Sequence, residues 1–582
     1  MAVKVEHDVP VRGADIHIAE LTPVLQGQRR IGLARARVPH HATLVLIVLA
    51  ARSADAATAT TSGWSPTATR ALTLAHATSL GAASGTTPLR LTVGLTPRNR
   101  AGLDSLIKAQ STPGNAGYGK FLTPAEFTSR FAATAAAAQA VSSYLSKAGM
   151  KNVNVSSNRL QVTADATVAQ AQSAFHTSIA RFSQAGRTVL ANTAAAQVPS
   201  SLAGKVSGVL GLSTLGVSAS APSLPKLTGF YPDEFTKVYD ATSTKPGTGS
   251  TLAVFAQGDV TQTIKDLRTF EAKRKLPQVP VQLVYTGVKS PDTAGADEWD
   301  LDTQTSTGIA PSAKKLYVYV ETSLSDADLA RSFNAFAAQN VARSGSASLG
   351  ECDLLPYLDG SMVVDDIALA EAAVQGQTFF ASSGDTGSSC AVAPTNGVPG
   401  AGLPDTEYPA SSPYAVGVGG TTLAATDADA YTAEITWNAG GGGISPVENG
   451  GYWQNDVVPS SAGALRGVPD VAFDADPNTG ALITVDGADE QIGGTSLASP
   501  LALGLWTRLQ SSHGNALGFA PPKLYAIYHK AQTTPPLPPT TVPASFHDVV
   551  LGSNGAYPAT PGYDYTTGLG SWDVAKLSAA IK

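Results

Sequence analysis

The stretch GGTSLASP, Gly493 to Pro500, opens an apolar run, SLASPLALGLWTRLQ, that reads as a helix beginning at Ser496. Pro500 falls in its first turn, where a missing N–H costs least. A serine at this position has two readings. It can be an ordinary helix cap, or it can be a nucleophile held where the positive end of a helix favours an anionic transition state. A nucleophilic serine needs a base. The histidines after residue 222 are His513, His529 and His547, and none lies in a glycine-rich setting.

Carboxylates offer another base. In ADEWDLDTQTSTGIAP, Glu298 and Asp302 are four residues apart. On a helix that spacing puts them on one face, one turn apart. Two close, partly buried carboxyls cannot both ionise, so one keeps its proton and its pKa rises. Such a pair can serve a serine in acid, where a histidine would be protonated. The competing reading is two acids on a solvated helix face. In FFASSGDTGSSC, Asp385 follows an apolar strand in a glycine-flanked turn. A protonated Asp there can donate to an oxyanion; a plain turn residue is the alternative.

In order, Glu-x-x-x-Asp, Gly384-Asp385-Thr386-Gly387 and Gly494-Thr495-Ser496 to Pro500 resemble the motifs of the sedolisin family, the serine-carboxyl peptidases. The connecting stretches YPASSPYAVGVGGTTL, WNAGGGGIS and RGVPDVAFDADPNTG agree, and the resemblance extends from about residue 88 onward. It implies a subtilisin-like α/β fold with a doubly wound parallel sheet. It also implies Ser496 as nucleophile, Glu298 as general base, Asp302 as its partner and Asp385 as the oxyanion-stabilising acid. One calcium ion is implied at the C-terminal loop, with Asp548, Asp564 and the carbonyls of Val549, Thr560 and Gly562 as ligands. Residues 88–215, with YGKFLTPAEF, resemble the family's activation propeptide, an intramolecular inhibitor. The expected substrates are polypeptides, cut internally. An inactive relative acting as a binding protein is the rival reading, against which all four catalytic residues are present.

The organisation agrees. Residues 1–57 form a leader, and residues 58–87, rich in Ala, Thr and Ser, read as a linker. From Leu89, strands and helices alternate over residues 88–215 as in a ferredoxin-like α+β unit. GVSASAPSLPK, residues 216–226, reads as a second linker and a site of maturation. From residue 227 to 582, short apolar strands such as STLAVFAQ, KKLYVYVE and TFFASSG alternate with helices such as DADLARSFNAFAAQN, the pattern of a buried parallel sheet.

Composition sets the outer limits. Charged residues are 14% of the 582, and the net charge is −6. Residues 1–221 carry 20 Lys and Arg against 8 Asp and Glu, a net of +12, which leaves −18 for the rest. The cations are scattered without aromatic interleaving, which excludes a nucleic-acid partner. Arg30, Arg35 and Arg37 precede the apolar run Ala42–Ala51 and the Ala54-Asp55-Ala56 site, the layout of a secretory signal. The run is too short to span a bilayer, so no stable membrane anchor is expected and the enzyme is read as secreted. Export would put Cys352 and Cys390 in an oxidising compartment, as a disulfide or as two buried thiols.

Overall fold

The computed structural model describes residues 63–72, 77–184, 186–217, 223–224, 229–390, 404–459, 464–533 and 542–582. The leader, with its signal-like segment, lies outside the described residues, as does part of each linker.

The first unit is built on β1 (Pro88–Leu95), whose leucines and Val93 face a small core of their own. Helices α1 (Arg100–Ser111) and α2 (Ala135–Lys147) follow, then β2 (Lys151–Val155), β3 (Gln161–Thr167) and β4 (Val206–Leu210). The sheet order is β2-β3-β1-β4, with every pairing antiparallel. That is the ferredoxin-like order expected from the alternation.

Three details differ from the sequence reading. The segment TPAEF…LSKAG is two helices, Pro124–Arg130 and α2, each with its own threonine cap, Thr123 and Thr134. The stretch PSSLAGKVSGVLGL, residues 199–212, which reads from sequence as a last helix, instead holds a short 3₁₀ turn, Ser200–Leu202, and strand β4. The segment read as the linker 58–87 contains Trp64–Pro66, paired with Gln197–Pro199, and Thr78–Ala82, paired with Ile179–Gln184. The folded unit therefore starts before residue 88.

The second unit is organised by an eight-stranded sheet. Its strands include β5 (Thr251–Gln257), β6 (Val281–Tyr285), β7 (Lys315–Glu321), β8 (Ser344–Ala347), β9 (Thr378–Ser382) and β10 (Val416–Ala425). They lie side by side as β6-β7-β5-β8-β9-β10, all parallel. Beside β10 run β11 (Tyr431–Thr436), antiparallel, and β12 (Val471–Asp474), parallel. The chain moves outward from β5 to one side and then returns to the other, which makes the sheet doubly wound. Ligands of such sheets sit at the carboxyl ends of strands beside the reversal.

Helices cover both faces. On one side, α3 (Ala296–Ile309) packs against α4 (Thr495–Ser512). A Cβ at Gly504 would come within 2.8 Å of the Ile309 Cβ, so the glycine lets the two helices close up. On the other side lie α5 (Asp326–Gln339) and α6 (Ser361–Val374), and the prodomain sheet rests on both. The Thr92 hydroxyl donates to the Ala327 carbonyl at 2.9 Å, and the Gln161 amide to the Ala330 carbonyl at 2.8 Å. The Asn158 amide donates to Glu371 at 2.6 Å, and Arg90 pairs with Asp328 at 2.9 Å. Leu210 adds apolar contact with Ala327, Ala330 and Val364.

Cys352 and Cys390 are joined, with Cα atoms 5.4 Å apart and a sequence separation of 38. In the chain-entropy account a loop of that size is worth roughly 3–4 kcal/mol. Cys352→Ser with Cys390→Ser should therefore lower the melting temperature of the folded protein by several degrees. A melting curve identical to that of the unsubstituted protein would show that the bond carries no stability.

Candidate active site

Gly295, at φ +83°, starts α3 by taking a left-handed conformation that side chains rarely adopt. Glu298 then falls in the first turn and Asp302 one turn later. Every residue from Glu298 to Ile309 is buried, so the helix has no solvated face and the reading as exposed surface acids is excluded. Both oxygens of Glu298 lack a well-aligned hydrogen bond. Burial pushes its pKa well above the ordinary carboxyl range, and the charges of Asp302 and Asp385 push it further. The Ser496 hydroxyl opposes that rise, approaching the carboxyl short of a fully aligned hydrogen bond.

Asp302 is also driven upward by burial. One of its oxygens accepts the Ser348 hydroxyl at 2.6 Å; the other has no partner. Ser348 stands just beyond β8, and its oxygen is also 3.1 Å from the Ser496 carbonyl. A hydroxyl has one proton, and the shorter contact takes it to Asp302. The Ser348 side chain is thus wedged between the second carboxyl and the main chain of Ser496. Sequence reading missed it, because a lone serine in SASLG carries no signal beyond its place at a strand end.

Ser496 is the second residue of α4 and is 6% exposed. The turn before it is set by Gly494, at φ +94° and ψ 160°, a region that only glycine enters without strain. The Gly494 N–H donates to the Ala475 carbonyl at 2.6 Å, tying the turn to the end of β12.

Asp385 follows β9 at the carboxyl end of the sheet, on the rim of the same cleft. One of its oxygens accepts both the Thr495 N–H, at 2.7 Å, and the Thr495 hydroxyl, at 2.8 Å. Burial raises its pKa to about 6 against these two bonds. The other oxygen is left as the one to carry a proton. Thr495 entered the sequence reading only as the middle residue of the Gly-Thr-Ser motif, with no role of its own. It locks the Asp385 turn onto the start of α4, beside Ser496. The four sequence-predicted residues thus come together from three elements: α3, the turn after β9, and the start of α4.

The C-terminal loop brings Asp548 and Asp564 near one another. Asp548 accepts the Gly562 N–H at 3.2 Å, and Asp564 accepts the N–H groups of Thr560, Thr566 and Thr567. Burial raises both carboxyls, Asp548 to about 6, with the charge of Asp564 adding to it. The buried Tyr528 hydroxyl feels both charges and has no hydrogen-bond partner. Val549, Thr560 and Gly562 belong to the same loop. Two mutually repelling carboxyls on turning backbone are the chemistry of a hard-cation site.

Two family models match this chain: the Pro-kumamolisin activation domain over residues 75–215 and the subtilase family over residues 289–542. The chain is 38% identical over 575 residues to sedolisin of Pseudomonas sp. (strain 101), covering 92% of this chain and 95% of that protein. It is 36% identical over 555 residues to xanthomonalisin of Xanthomonas sp. (strain T-22), covering 84% and 65%. Among solved structures, Pseudomonas sedolisin complexed with pseudo-iodotyrostatin matches at 38% identity with a TM-score of 0.56, over 61% of this chain and 98% of that one. A buried Glu–Asp pair beside a helix-borne serine, an activation domain and near full-length identity to sedolisin lead to one conclusion: this chain belongs to the sedolisin family of serine-carboxyl peptidases, as a proenzyme.

Proposed function

We propose that this chain is a secreted, acid-acting endopeptidase that cuts polypeptides through an acyl-enzyme on Ser496. The observation that carries the reading is the buried, unpartnered Glu298 carboxyl approached by the Ser496 hydroxyl. Glu298 takes the hydroxyl proton as Oγ attacks the scissile carbonyl carbon. The resulting oxyanion accepts a hydrogen bond from protonated Asp385. Collapse breaks the C–N bond, and Glu298 returns the proton to the leaving amine. Water then attacks the ester, giving a proton to Glu298, and Glu298 passes that proton to the Ser496 oxygen as the ester bond breaks and the acid product leaves.

Glu298 and Asp302 share a proton over a wide pH range, because two adjoining buried carboxyls release their protons in separate steps. Asp302, held by Ser348, keeps the shared proton from leaving Glu298 unable to accept another. Asp385 works in its protonated form, which is present below about pH 6 and lost above it. Activity on casein should therefore fall as pH rises through about 6. Asp385→Asn, which donates at every pH, should remove that limb while lowering the maximum by about 10²-fold or more. A high-pH limb unchanged in Asp385→Asn would overturn the assignment. Ser496→Ala should abolish cleavage altogether.

The activation domain supports an intramolecular propeptide, and the maturation cut is placed in linker 216–226. Gly216 forms an antiparallel bridge with Ser325. Ser223–Leu224 pairs antiparallel with Gln491–Ile492, the strand end that leads through Gly493 and Gly494 into the nucleophile. Both flanks of residues 218–222 are thus paired to the catalytic unit, the second beside the segment that leads to Ser496. Held at about pH 4, the proenzyme should shorten by mass to a cut in the linker, and Ser496→Ala should stay full length. Self-processing of the Ser496→Ala proenzyme would refute autocatalysis.

Calcium fits the loop of Asp548 and Asp564, with the carbonyls of Val549, Thr560 and Gly562 as further ligands. When bound it would neutralise the two carboxyls and brace the loop. At a free concentration of 100 times its Kd, a bound ion stabilises a fold by about 2.7 kcal/mol. Chelation should lower the melting temperature, and Asp564→Ala should make the protein insensitive to chelator. Identical melting with and without chelator would remove calcium from the account.

A further inference from the structure

The surroundings of Asp385 nearly all favour its neutral form. Burial does so first. The charged groups that face it are carboxyls, Glu298 of α3 and Glu407. Glu407 lies against the same turn: a Cβ on Gly384 would come within 2.5 Å of its carboxyl. Burial raises Glu407 to about 8, so it is uncharged where Asp385 titrates. An ionised Glu298 opposes a second negative charge beside it. What favours an ionised Asp385 is Thr495, through its N–H and its hydroxyl.

These two donors have different origins. The Thr495 N–H belongs to the first turn of α4, and a helix start leaves such groups without partners inside the helix. Any residue except proline would supply it. The hydroxyl is a property of threonine. It stands 2.8 Å from the Asp385 oxygen and 3.2 Å from the Gly384 carbonyl, and its one proton goes to the shorter contact. Its oxygen accepts the Gly384 N–H at 3.1 Å, so the residue before the acid is held by the same group. The methyl group fixes the rotamer. A Cβ on Gly420, in β10, would come within 3.3 Å of it, and Thr495 is 1% exposed. Turning a β-branched side chain in so closed a site would take the hydroxyl off Asp385 and the methyl off Gly420 together.

We propose that Thr495 is a positioning residue whose hydroxyl fixes the highest pH at which the enzyme works. The inference rests on the peptidase reading above, in which Asp385 serves the oxyanion as a neutral acid. A hydroxyl bonds a carboxylate more strongly than a neutral carboxyl. Thr495 therefore favours loss of the Asp385 proton, and with that proton goes the stabilisation of the oxyanion. Without the hydroxyl, Asp385 keeps its proton to higher pH. The bond that aims the acid also confines it to an acidic medium.

The test is the pH profile of kcat and KM on casein for the matured Thr495→Val, Thr495→Ala and Thr495→Ser enzymes. Val and Ala lack the hydroxyl. Their high-pH limb should move up by about one unit, the tenfold change that loss of a hydrogen bond to a charged group supplies. In acid their kcat should fall while KM changes little, because the acid is less well aimed. Ser keeps the hydroxyl, and its limb should stay where the unsubstituted enzyme has it. Two hydroxyl-free variants keep the test open should one fold poorly. A limb that stays in place in Val or Ala, or that moves as far in Ser, overturns the role of the hydroxyl. A high-pH limb that survives in Asp385→Asn shows another group titrating and overturns the Asp385 assignment of the proposed function instead.

Discussion

Two carboxyl groups, Glu298 and Asp302, are enclosed in a helix that has no solvated side, and much of the molecule is arranged to tolerate them. An unpaired buried carboxylate costs several kcal/mol, so burial favours the protonated form. The pair is kept usable by specific neighbours. The Ser348 hydroxyl serves Asp302, and the Ser496 hydroxyl is the group that favours an ionised Glu298. The close packing of α3 on α4, made possible at Gly504, fixes the distance across which any proton moves between them. A histidine in this place would carry a proton in acid and lose its use as a base.

The same logic extends to the turn after β9. In the mechanism proposed above, Asp385 holds a proton at the pH where Glu298 still accepts one. Thr495 binds a single Asp385 oxygen with two donors, which steers the proton to the other. Thr495 therefore joins the acid to the nucleophile's helix, and a shift of either moves both. The Cys352–Cys390 bond ties the chain just before α6 to the segment that follows this turn. The acid and the outer wall of the cleft are thus braced by covalent structure as well as by packing.

The spacing of Glu298 and Asp302, the Gly-Asp-x-Gly turn and the Gly-Thr-Ser helix start were legible in sequence because each has a fixed local geometry. So was the parallel sheet, whose apolar strands are continuous. Ser348 and Thr495 were not legible: each acts on a residue more than 40 positions away, and neither type is unusual in its setting. In the prodomain, Val206, Val209 and Leu210 stand at spacings of three and four, which imitates a helix. Pairing with β1 overrides that local pattern and makes them strand β4. The strands at 64–66 and 78–82 escaped notice for a different reason. Thr78–Ala82 is exposed along its whole length, so no alternation of apolar and polar residues marks it.

The prodomain and the catalytic unit differ in charge, yet their contact is not mainly ionic. Arg90 with Asp328 is an ion pair between a partly exposed cation and a buried carboxylate. Thr92 on Ala327, Gln161 on Ala330 and Leu210 on Val364 are neutral anchors, and Arg70 and Arg100 reach the hydroxyls and ring faces of Tyr357 and Tyr414. Acid alone would therefore loosen this interface only where carboxyls face it. Glu371 is such a group: burial raises it to about 8, and it faces Asn158. Asp366 is another: burial raises it to about 6 against the charge of Arg100 of the prodomain, so acidification weakens that attraction. The part of the contact that depends on chemistry instead of charge is the tail. Its two flanks stay paired to the catalytic unit for as long as the chain between them is whole. A cut there turns an intramolecular partner into a separate one, whose effective concentration falls with dilution. If the cut proposed for this linker is made, release of the prodomain follows from that dilution.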